Sequence, residues 1–494
     1  MISDNMILQR DFDITLWGWA DPAEQVTATI AGKSVSSKTD SGGKWTVTLP
    51  PLLAGGPYEL SFSAKNHITI KNVLIGEVWI CSGQSNMEMY VQAAGNPHTE
   101  IAHAYHPDIR LFNVDNEVAF SPADNCVGTW EECRPSTVGR FSAAAYYFGR
   151  ALKDSLGVPV GLINASWGGT PAESWMRPQS IASNPATKEL YSRWEGVLLG
   201  KSPDIVRYYH ELGIWHDDLY YVMNTAEPMD IFNRFGYSDI ETPDSPVKLS
   251  FAPNIPGVCY NAMIAPFTQY ALRGAIWYQG ESNAGRAYEY RSLFPAMIDD
   301  WRTAWDRELP FLFVQLANFA TNDPSISESS WAELREAQSM TLDLPATAMA
   351  VAIDIGDSKD IHPKNKQEIG RRLSLGALKT VYGFDLVHSG PIYESMRIVD
   401  GKIHIRFNYC ENGLTTRDKT LPEGFIIAAK DGLFVAAQAE ISGNEVIVWS
   451  QNVSEPSAVR YGWAGDPNCN LINGDGLPAS PFRTDDWPGI TAPE

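Results

Sequence analysis

The sequence predicts an α/β core, built on a parallel sheet, with an antiparallel β module on each side. Two observations predict this architecture. Residues 11–72 alternate apolar and polar side chains at a period of two, and the pattern returns after residue 391. Between them, apolar runs alternate with helical stretches, as in a doubly wound sheet. The 494 residues therefore divide into an N-terminal β module at 1–72, an α/β domain at 73–390 and a C-terminal β module at 391–494.

The N-terminal module contains three alternating runs, separated by clusters of Gly, Pro, Asp and Ser, that predict the strands of a small antiparallel sandwich. These runs are Ile14–Trp19, Val26–Ile30 and Trp45–Leu49. The uninterrupted apolar run Val73–Ile80 then leads into a turn rich in Gly and Ser, which is typical of a buried parallel strand that feeds a helix.

Further strands and two helices are predicted in the core. The strands are Val158–Asn164, Arg273–Tyr278, Pro310–Leu316 and Met349–Asp354, and the helices are Phe141–Leu152 and Lys366–Thr380. Residues 191–254 are aromatic and acidic with little clear period, which indicates an insertion of the kind that often walls a binding cleft.

Alternating strands return in the C-terminal module at Lys402–Phe407, Phe425–Ala429 and Glu445–Trp449. The last stretch, 460–494, is rich in Gly, Pro, Asn and Asp. We expect it to pack as an irregular strap rather than as sheet.

The charge balance disfavours several classes of protein. Lys and Arg number 38 against 59 Asp and Glu, a net charge of −21, which disfavours nucleic acid and anionic membrane surfaces as partners. No apolar run is long enough to span a membrane.

The first residues lack the basic and apolar regions of a secretion signal. We expect a periplasmic or secreted protein whose signal is absent from this sequence, with the cytoplasm as the alternative.

The six cysteines are too few and too scattered to frame a fold with disulfides, and no pair forms a C-x-x-C motif. We therefore expect no zinc site, and buried free thiols for most of them. Cys126 and Cys133 are spaced so that they could close a small loop if the protein is exported. The G-x-S-x-G, H-E-x-x-H, P-loop and dinucleotide motifs are all absent, and no cofactor is expected.

Two segments at strand ends carry residues of nucleophilic catalysis. Ser85 follows the strand that ends near Ile80, on a turn where its N–H points toward a developing oxyanion. Asp360 and His362 follow a later strand, in a loop where the carboxylate can hold Nδ1–H while Nε2 faces a serine. One alternative is that Ser85 only caps the following helix, with Glu88 completing a capping box three residues later. The other is that the loop with Asp360 and His362 is a solvated acidic segment.

Two more segments follow strands of the same sheet. Asn164–Thr170 opens into a pair of glycines, where main-chain N–H groups can approach a ligand closely. Trp277–Asn283 contains Gln279, whose side-chain amide is a candidate oxyanion donor. Either segment alone is often only a turn, but four such segments at the carboxyl ends of one parallel sheet indicate an active site.

These four segments resemble the successive blocks of the sialate O-acetylesterase family, which belongs to the SGNH-like serine hydrolases. The blocks are Gly83–Glu88, Ser166–Thr170, Trp277–Asn283 and Asp360–Asn365, and the flanks Ser3–Gln9 and Gly476–Asp485 are similar too. The resemblance implies a three-layer α/β/α hydrolase core. It also implies hydrolysis of acetate esters on sugar hydroxyls, typically of 9-O-acetyl sialic acid, without metal or organic cofactor.

The resemblance also implies roles for individual residues. Ser85 would be the nucleophile, His362 the base and Asp360 the orienting acid. The N–H groups of Ser85 and Gly169 and the amide of Gln279 would form the oxyanion hole. The spacing here is Asp-x-His, where the broader SGNH pattern has Asp-x-x-His, so Asp357 and Glu281 stay open as alternatives to Asp360.

Candidate substrate contacts are Trp167, Tyr278 and Glu281. Aromatic rings stack on the apolar faces of sugars, so Trp175 and Trp215 are candidates as well. The negative charge of the chain fits an anionic sialic acid poorly, so acetylated xylan or a related plant polysaccharide is the alternative substrate. Two other classes remain open. One is a glycosidase that uses Glu281 and an Asp of residues 354–360, and the other is a non-catalytic carbohydrate-binding protein.

Overall fold

The computed structural model describes residues 1–200, 207, 211 and 253–493. Most of the insertion predicted at 191–254, including Trp215, lies outside the described residues. No helix in the described ranges is both long and apolar enough to cross a membrane.

Six strands precede the core: β1 Ile7–Gln9, β2 Ile14–Trp19, β3 Gln25–Ile30, β4 Lys33–Lys38, β5 Lys44–Leu49 and β6 Gly55–Ser63. β2 and β5 form one antiparallel pair, and β3 pairs antiparallel with both β4 and β6. The alternating pattern places Ile14, Leu16, Trp45 and Val47 inside this module, where all four are buried. The three strands predicted here are confirmed.

β7, His67–Gly83, belongs to two sheets at once. Its first half pairs antiparallel with β6 and parallel with β1, and from Glu77 onward it pairs parallel with strands of the core. At the transition, a Cβ on Gly76 would lie 2.1 Å from the carbonyl oxygen of Pro159, so only glycine fits there. The boundary placed between residues 72 and 73 falls inside this strand.

The central sheet contains six further strands: β8 His106–Val114, β9 Gly128–Cys133, β10 Val160–Ser166, β11 Gly274–Tyr278, β12 Phe311–Val314 and β13 Thr347–Ala350. Its order is β13-β12-β11-β7-β10-β8-β9, and every pair is parallel except β8 with β9. The sequence analysis did not predict β8 and β9. β9 is an edge strand with two adjacent glutamates, Glu131 and Glu132, which interrupt an apolar period.

The α-helices of the described residues are α1 Ser85–Glu88, α2 Pro97–His103, α3 Ala143–Leu156, α4 Pro178–Ser183, α5 Lys188–Gly200, α6 Ala287–Ala304, α7 Ser330–Met340 and α8 Lys366–Thr380. α3 and α8 cover one face of the sheet, against Ile276 and Leu312. α6 and α7 cover the other face, against Trp277 and Phe313. Neighbouring residues of one strand thus enter opposite cores, and the three-layer α/β/α prediction is confirmed.

The C-terminal module consists of antiparallel sheets. Its strands are β14 Ile392–Val399, β15 Lys402–Asn408, β16 Leu414–Thr416, β17 Phe425–Ala428, β18 Val435–Ala436, β19 Gln438–Ser442, β20 Glu445–Trp449, β21 Ala458–Tyr461, β22 Leu471–Asn473 and β23 Phe482–Arg483. The prediction that 460–494 contains no sheet is wrong, because β22 pairs with β16 and β23 with β21. β22 and β23 have three and two residues, too few for a period of two to be recognised.

All six cysteines are buried and free. The prediction of buried free thiols is therefore confirmed, and Cys126 and Cys133 form no disulfide with each other. Burial raises the pKa of the Cys133 thiol to about 12, so this group stays protonated and behaves as a small apolar side chain.

Arg335 of α7 joins the α/β domain to the C-terminal module. It is fully buried and donates hydrogen bonds to the main-chain carbonyls of Leu316, Ala317, Ala464 and Gly465, at 2.7 to 2.9 Å. Burial lowers the pKa of the guanidinium to about 10.

We expect Arg335→Met to lower the free energy of unfolding by about 3 kcal/mol or more, because several buried carbonyls lose their donor. Urea unfolding followed by tryptophan fluorescence measures this change. Arg371→Met is the control, because Arg371 is half exposed and pairs with Glu368 on the surface. A change of less than about 1 kcal/mol is expected for the control, and an equal loss in both variants would contradict the assignment.

Candidate active site

The candidate site lies at the carboxyl edge of the central sheet, where β7 ends against β11. Gly83 has φ +137°, and a Cβ there would lie 2.2 Å from the carbonyl oxygen of Tyr278. Gln84 then donates its N–H to the same oxygen at 3.0 Å. Only glycine permits this close approach, which places Ser85 on the edge as the first residue of α1.

Ser85 is not a helix cap. The N-cap of α1 is Gln84, and no side chain caps the helix. Glu88 does not complete a capping box either, since its carboxylate accepts hydrogen bonds from Gly168 and Asn116. The capping alternative for Ser85 is therefore wrong.

Ser85, His362 and Asp360 form one hydrogen-bonded chain. The Nε2 atom of His362 lies 3.0 Å from Oγ of Ser85, and its Nδ1 atom lies 3.2 Å from Oδ1 of Asp360. That same carboxylate oxygen accepts the main-chain N–H of His362 at 2.9 Å. The geometry is that of a serine, a base and an orienting acid.

The surroundings of Asp360 favour its ionised form. The main-chain N–H of His362 lowers the pKa of the Asp360 carboxyl, and Lys364 contributes through an ammonium group 3.2 Å from Oδ2. The alternative carboxylates make other contacts. Asp357 accepts the N–H of Lys359 at 2.9 Å, and Glu281 accepts from Asn86 at 2.5 Å.

The turn of Gly168 and Gly169 lies directly against Ser85. A Cβ on Gly168 would lie 3.4 Å from Cβ of Ser85, and the N–H of Gly168 donates to Oε2 of Glu88 at 2.6 Å. Gly169 has φ +78°. In the described part of the chain, the N–H groups of Ser85 and Gly169 donate to no protein acceptor. Both are thus available for a ligand.

Gln279 is engaged elsewhere. Its side chain is fully buried, and Nε2 donates to Oδ1 of Asn283 at 2.7 Å and to the carbonyl of Thr170 at 3.4 Å. Its Oε1 atom accepts from Tyr290 at 2.9 Å. The structure therefore gives Gln279 no free N–H for an oxyanion. Instead, this amide ties the segment after β11 to the one after β10.

The segments that form the site also define the family. The sequence model of a family described as carbohydrate esterase, sialic acid-specific acetylesterase, matches residues 75–194 and 248–379, which is more than half of the chain. The chain belongs to this family.

Two relatives and a solved structure resemble this carbohydrate esterase over nearly its whole length. The sialate O-acetylesterase of Rattus norvegicus is 29% identical, over 97% of this chain and 93% of the relative. That of Homo sapiens is 28% identical, over 99% and 93%. The crystal structure of a carbohydrate acetylesterase from Xanthomonas citri has a TM-score of 0.83 and 36% identity, with 98% of both chains covered. The protein is therefore a carboxylic-ester hydrolase, and neither a glycosidase nor a non-catalytic binding protein.

Two of the residues predicted to contact the sugar cannot reach it. Tyr278 and Trp175 are fully buried, so neither ring can stack on a sugar. Trp167 is partly buried and packs against the core. Glu281 is partly exposed, but its Oε2 atom is buried and has no hydrogen-bond partner among the described residues. Burial raises the pKa of Glu281.

The sequence analysis assigned no site contacts to four polar residues that lie around the candidate site, Gln84, Asn86, Glu88 and Lys366. Oε1 of Gln84 accepts the N–H groups of Gly280 and Ser282, at 3.3 and 3.2 Å. Lys366 is fully buried at the start of α8, and burial lowers its pKa to about 7. Three of the four lie in the segment Gly83–Glu88 around Ser85, so their position in the sequence could have marked them as site residues. Lys366 gave none, because one lysine at a helix start is ordinarily exposed.

Proposed function

We propose that the protein is a serine esterase that removes O-acetyl groups from sugars through an acetyl-serine intermediate. The observation that carries the proposal is the chain from Ser85 Oγ to His362 Nε2, at 3.0 Å, and from Nδ1 to Asp360, at 3.2 Å. The names of the rat, human and Xanthomonas citri relatives support the reaction class, acetyl-ester hydrolysis on carbohydrate.

In the first step, Nε2 of His362 takes the proton of Ser85 as Oγ attacks the acetyl carbonyl. The negative charge that forms on the carbonyl oxygen is held by the free N–H groups of Ser85 and Gly169. His362 then gives its proton to the sugar oxygen as the ester bond breaks. In the second step, His362 activates a water that attacks the acetyl-serine, and acetate leaves. Asp360 keeps Nδ1 protonated throughout.

The names of the rat and human relatives make an acetylated sialic acid the first candidate substrate. One observation favours a neutral sugar instead. A pocket of about 510 Å³ opens beside Glu88, and its lining includes Asp115 and Glu131. The guanidinium of Arg140, also in the lining, lies 3.2 Å from Glu131 and is already paired. The lining thus holds three carboxylates, those of Glu88, Asp115 and Glu131, against one guanidinium, and this excess of negative charge disfavours an anionic sugar.

The test is acetate release from 9-O-acetyl sialic acid and from acetylated xylo-oligosaccharide, measured side by side. Ser85→Ala should abolish release from whichever substrate is cleaved. Ser282→Ala, an exposed serine in a neighbouring segment, should retain it. Release that survives Ser85→Ala would refute the nucleophile, and release from neither sugar would refute the substrate class.

The turn that carries Gly169 should depend on Glu88. Glu88→Ala removes the acceptor of the Gly168 N–H, so the neighbouring oxyanion donor is displaced. We expect kcat to fall by about 10- to 100-fold with little change in KM. Asn116→Ala is the control, since Asn116 contacts the other carboxylate oxygen of Glu88. A loss in KM alone would contradict this role.

The proposal includes an exported location. Polymeric glycans do not cross membranes, so an enzyme that deacetylates them is expected in the periplasm or outside the cell. Fractionation of the native host, with the protein followed by antibody, checks this expectation. Recovery with the cytoplasmic fraction would overturn it.

A further inference from the structure

Asn86, the residue after Ser85, joins the nucleophile segment to the histidine loop. Its side chain is buried, with 1% exposed. Nδ2 donates to Oε1 of Glu281 at 2.5 Å and to the carbonyl oxygen of Ile361 at 3.0 Å. Oδ1 accepts from Nζ of Lys366 at 2.6 Å. One amide thus links the residue next to Ser85 with the residue next to His362.

The chemistry of the neighbours sets the orientation of this amide. The carbonyl of Ile361 only accepts hydrogen bonds, so the part of the Asn86 amide that faces it must be an N–H. A reversed amide would bring its oxygen against the carbonyl oxygen of Ile361. The N–H groups of Asn86 must therefore face Ile361 and Glu281, and its oxygen must face Lys366.

The histidine loop needs such an anchor. The side chains of His362 and Asp360 are 36% and 37% exposed, so packing alone holds neither of them firmly. The bond from Nε2 to Ser85 Oγ is itself made and broken during the reaction, and it cannot serve as a fixed support. The contact from Asn86 to Ile361 is partly buried and does not involve a reacting atom.

Burial of the Lys366 side chain lowers the stability of the fold. This side chain is fully buried and forms no salt bridge within 4.0 Å among the described residues, although the charge of Glu281 raises its pKa against the larger effect of burial. The ammonium lies 4.7 Å from the centroid of the Tyr278 ring, which compensates part of the lost hydration. A buried lysine without a paired carboxylate lowers stability, so its presence beside Ser85 points to a role in the site.

We propose that Asn86 is a positioning residue, which fixes the distance between Ser85 Oγ and His362 Nε2, and that Lys366 and Glu281 hold its amide in the required orientation. The inference rests on the proposed roles of Ser85 and His362. It extends the site from three residues to a buried support behind them.

The first test is Asn86→Asp, which keeps the shape but replaces the two N–H donors by an oxygen facing Ile361 and Glu281. Displacement of the histidine loop should lower kcat about 100-fold for 4-nitrophenyl acetate, with KM changed less than about threefold. Adding Glu281→Gln supplies a new N–H toward position 86. The double variant should recover about tenfold of the loss. Asn365→Asp, an exposed position in the same loop, is the matched control and should retain full activity.

The second test separates positioning from folding. Lys366→Met removes the donor to Asn86 but also the cost of burying an amine, and these effects on stability oppose each other, so its Tm should stay within a few degrees of the parent while kcat falls about tenfold. A purely structural residue would not lower kcat without lowering Tm. If Asn86→Asp does not fold, this variant decides the question.

Three results would overturn the inference: kcat of Asn86→Asp within threefold of the parent, no recovery in the double variant, or unchanged kcat in Lys366→Met. Ser85→Ala is assayed on the same substrate. If it is inactive while the Asn86 and Lys366 variants are fully active, the inference fails and the proposed function stands. If Ser85→Ala is active, the proposed function fails.

Discussion

His362→Ala is expected to lower kcat for acetate release by about 10⁵- to 10⁶-fold. The imidazole is the only base within hydrogen-bond distance of Ser85 Oγ among the described residues, at 3.0 Å. Without it the hydroxyl keeps its proton and is a weak nucleophile, and neither step of the reaction has an acid or base. Steady-state kinetics with an acetyl ester, and the rate of labelling by a fluorophosphonate, measure the loss.

The exposure of His362 provides an additional check. Since the side chain is 36% exposed, added imidazole can enter the gap left by the substitution, and part of the activity should return with it. The control is His103→Gln, an exposed histidine at the end of α2, which should behave as the parent. Activity within tenfold of the parent in His362→Ala would show that another group deprotonates Ser85.

Asp360→Asn is expected to lower kcat by about 10³- to 10⁴-fold. An asparagine can present an N–H to Nδ1 of His362, which stabilises the wrong tautomer of the imidazole, and it cannot balance the charge of the imidazolium. The carboxylate also fixes the loop, because it accepts the main-chain N–H of His362. The kinetic assay and the probe-labelling rate should fall together, while KM changes little.

The matched substitution at Asp357 decides between Asp360 and Asp357 as the orienting acid. Asp357→Asn should retain activity within about threefold, because an asparagine oxygen can still accept the N–H of Lys359. If Asp360→Asn retained activity within tenfold and Asp357→Asn lost it, the assignment of the orienting acid would have to move to Asp357.

The sequence allowed the core of the site to be predicted because its signals are local. Ser85, Gly169 and His362 each follow a strand of a parallel sheet, and all strands of such a sheet end on one edge. The strand before Ser85 was harder to delimit. Its buried half is continuously apolar and was recognised, whereas the half from His67 to Asn72 alternates and was assigned to the preceding module.

Side-chain direction at strand ends could not be predicted. Tyr278 and Trp277 are adjacent on β11 and both faces of the sheet are buried, so the pattern does not show which aromatic ring reaches the cleft. Neither ring does so, because both are at most 1% exposed. The role predicted for Gln279, that of an oxyanion donor, could not be checked from the sequence for a related reason. One of the hydrogen-bond partners of Gln279, Thr170 in the turn after β10, is 109 residues away in sequence, a contact that no local motif encodes.

Contacts between distant segments explain why the buried support behind the site was missed. Asn86 and Lys366 are 280 residues apart. A lysine in the first turn of a helix is normally a solvated residue, and an asparagine in a turn normally bonds to its own backbone. Only the packing of α8 on the sheet, which places Lys366 over the ring of Tyr278, brings these two ordinary residues into contact.

The continuity of β7 makes the N-terminal module part of the catalytic unit in a mechanical sense. The strand that ends two residues before Ser85 begins in the other sheet. A local opening of the N-terminal sheet at His67 therefore acts on the same strand that positions the nucleophile. No flexible linker separates them to absorb the motion. Removing the first 72 residues would therefore strip β1 and β6 from this strand and leave two unpaired edges.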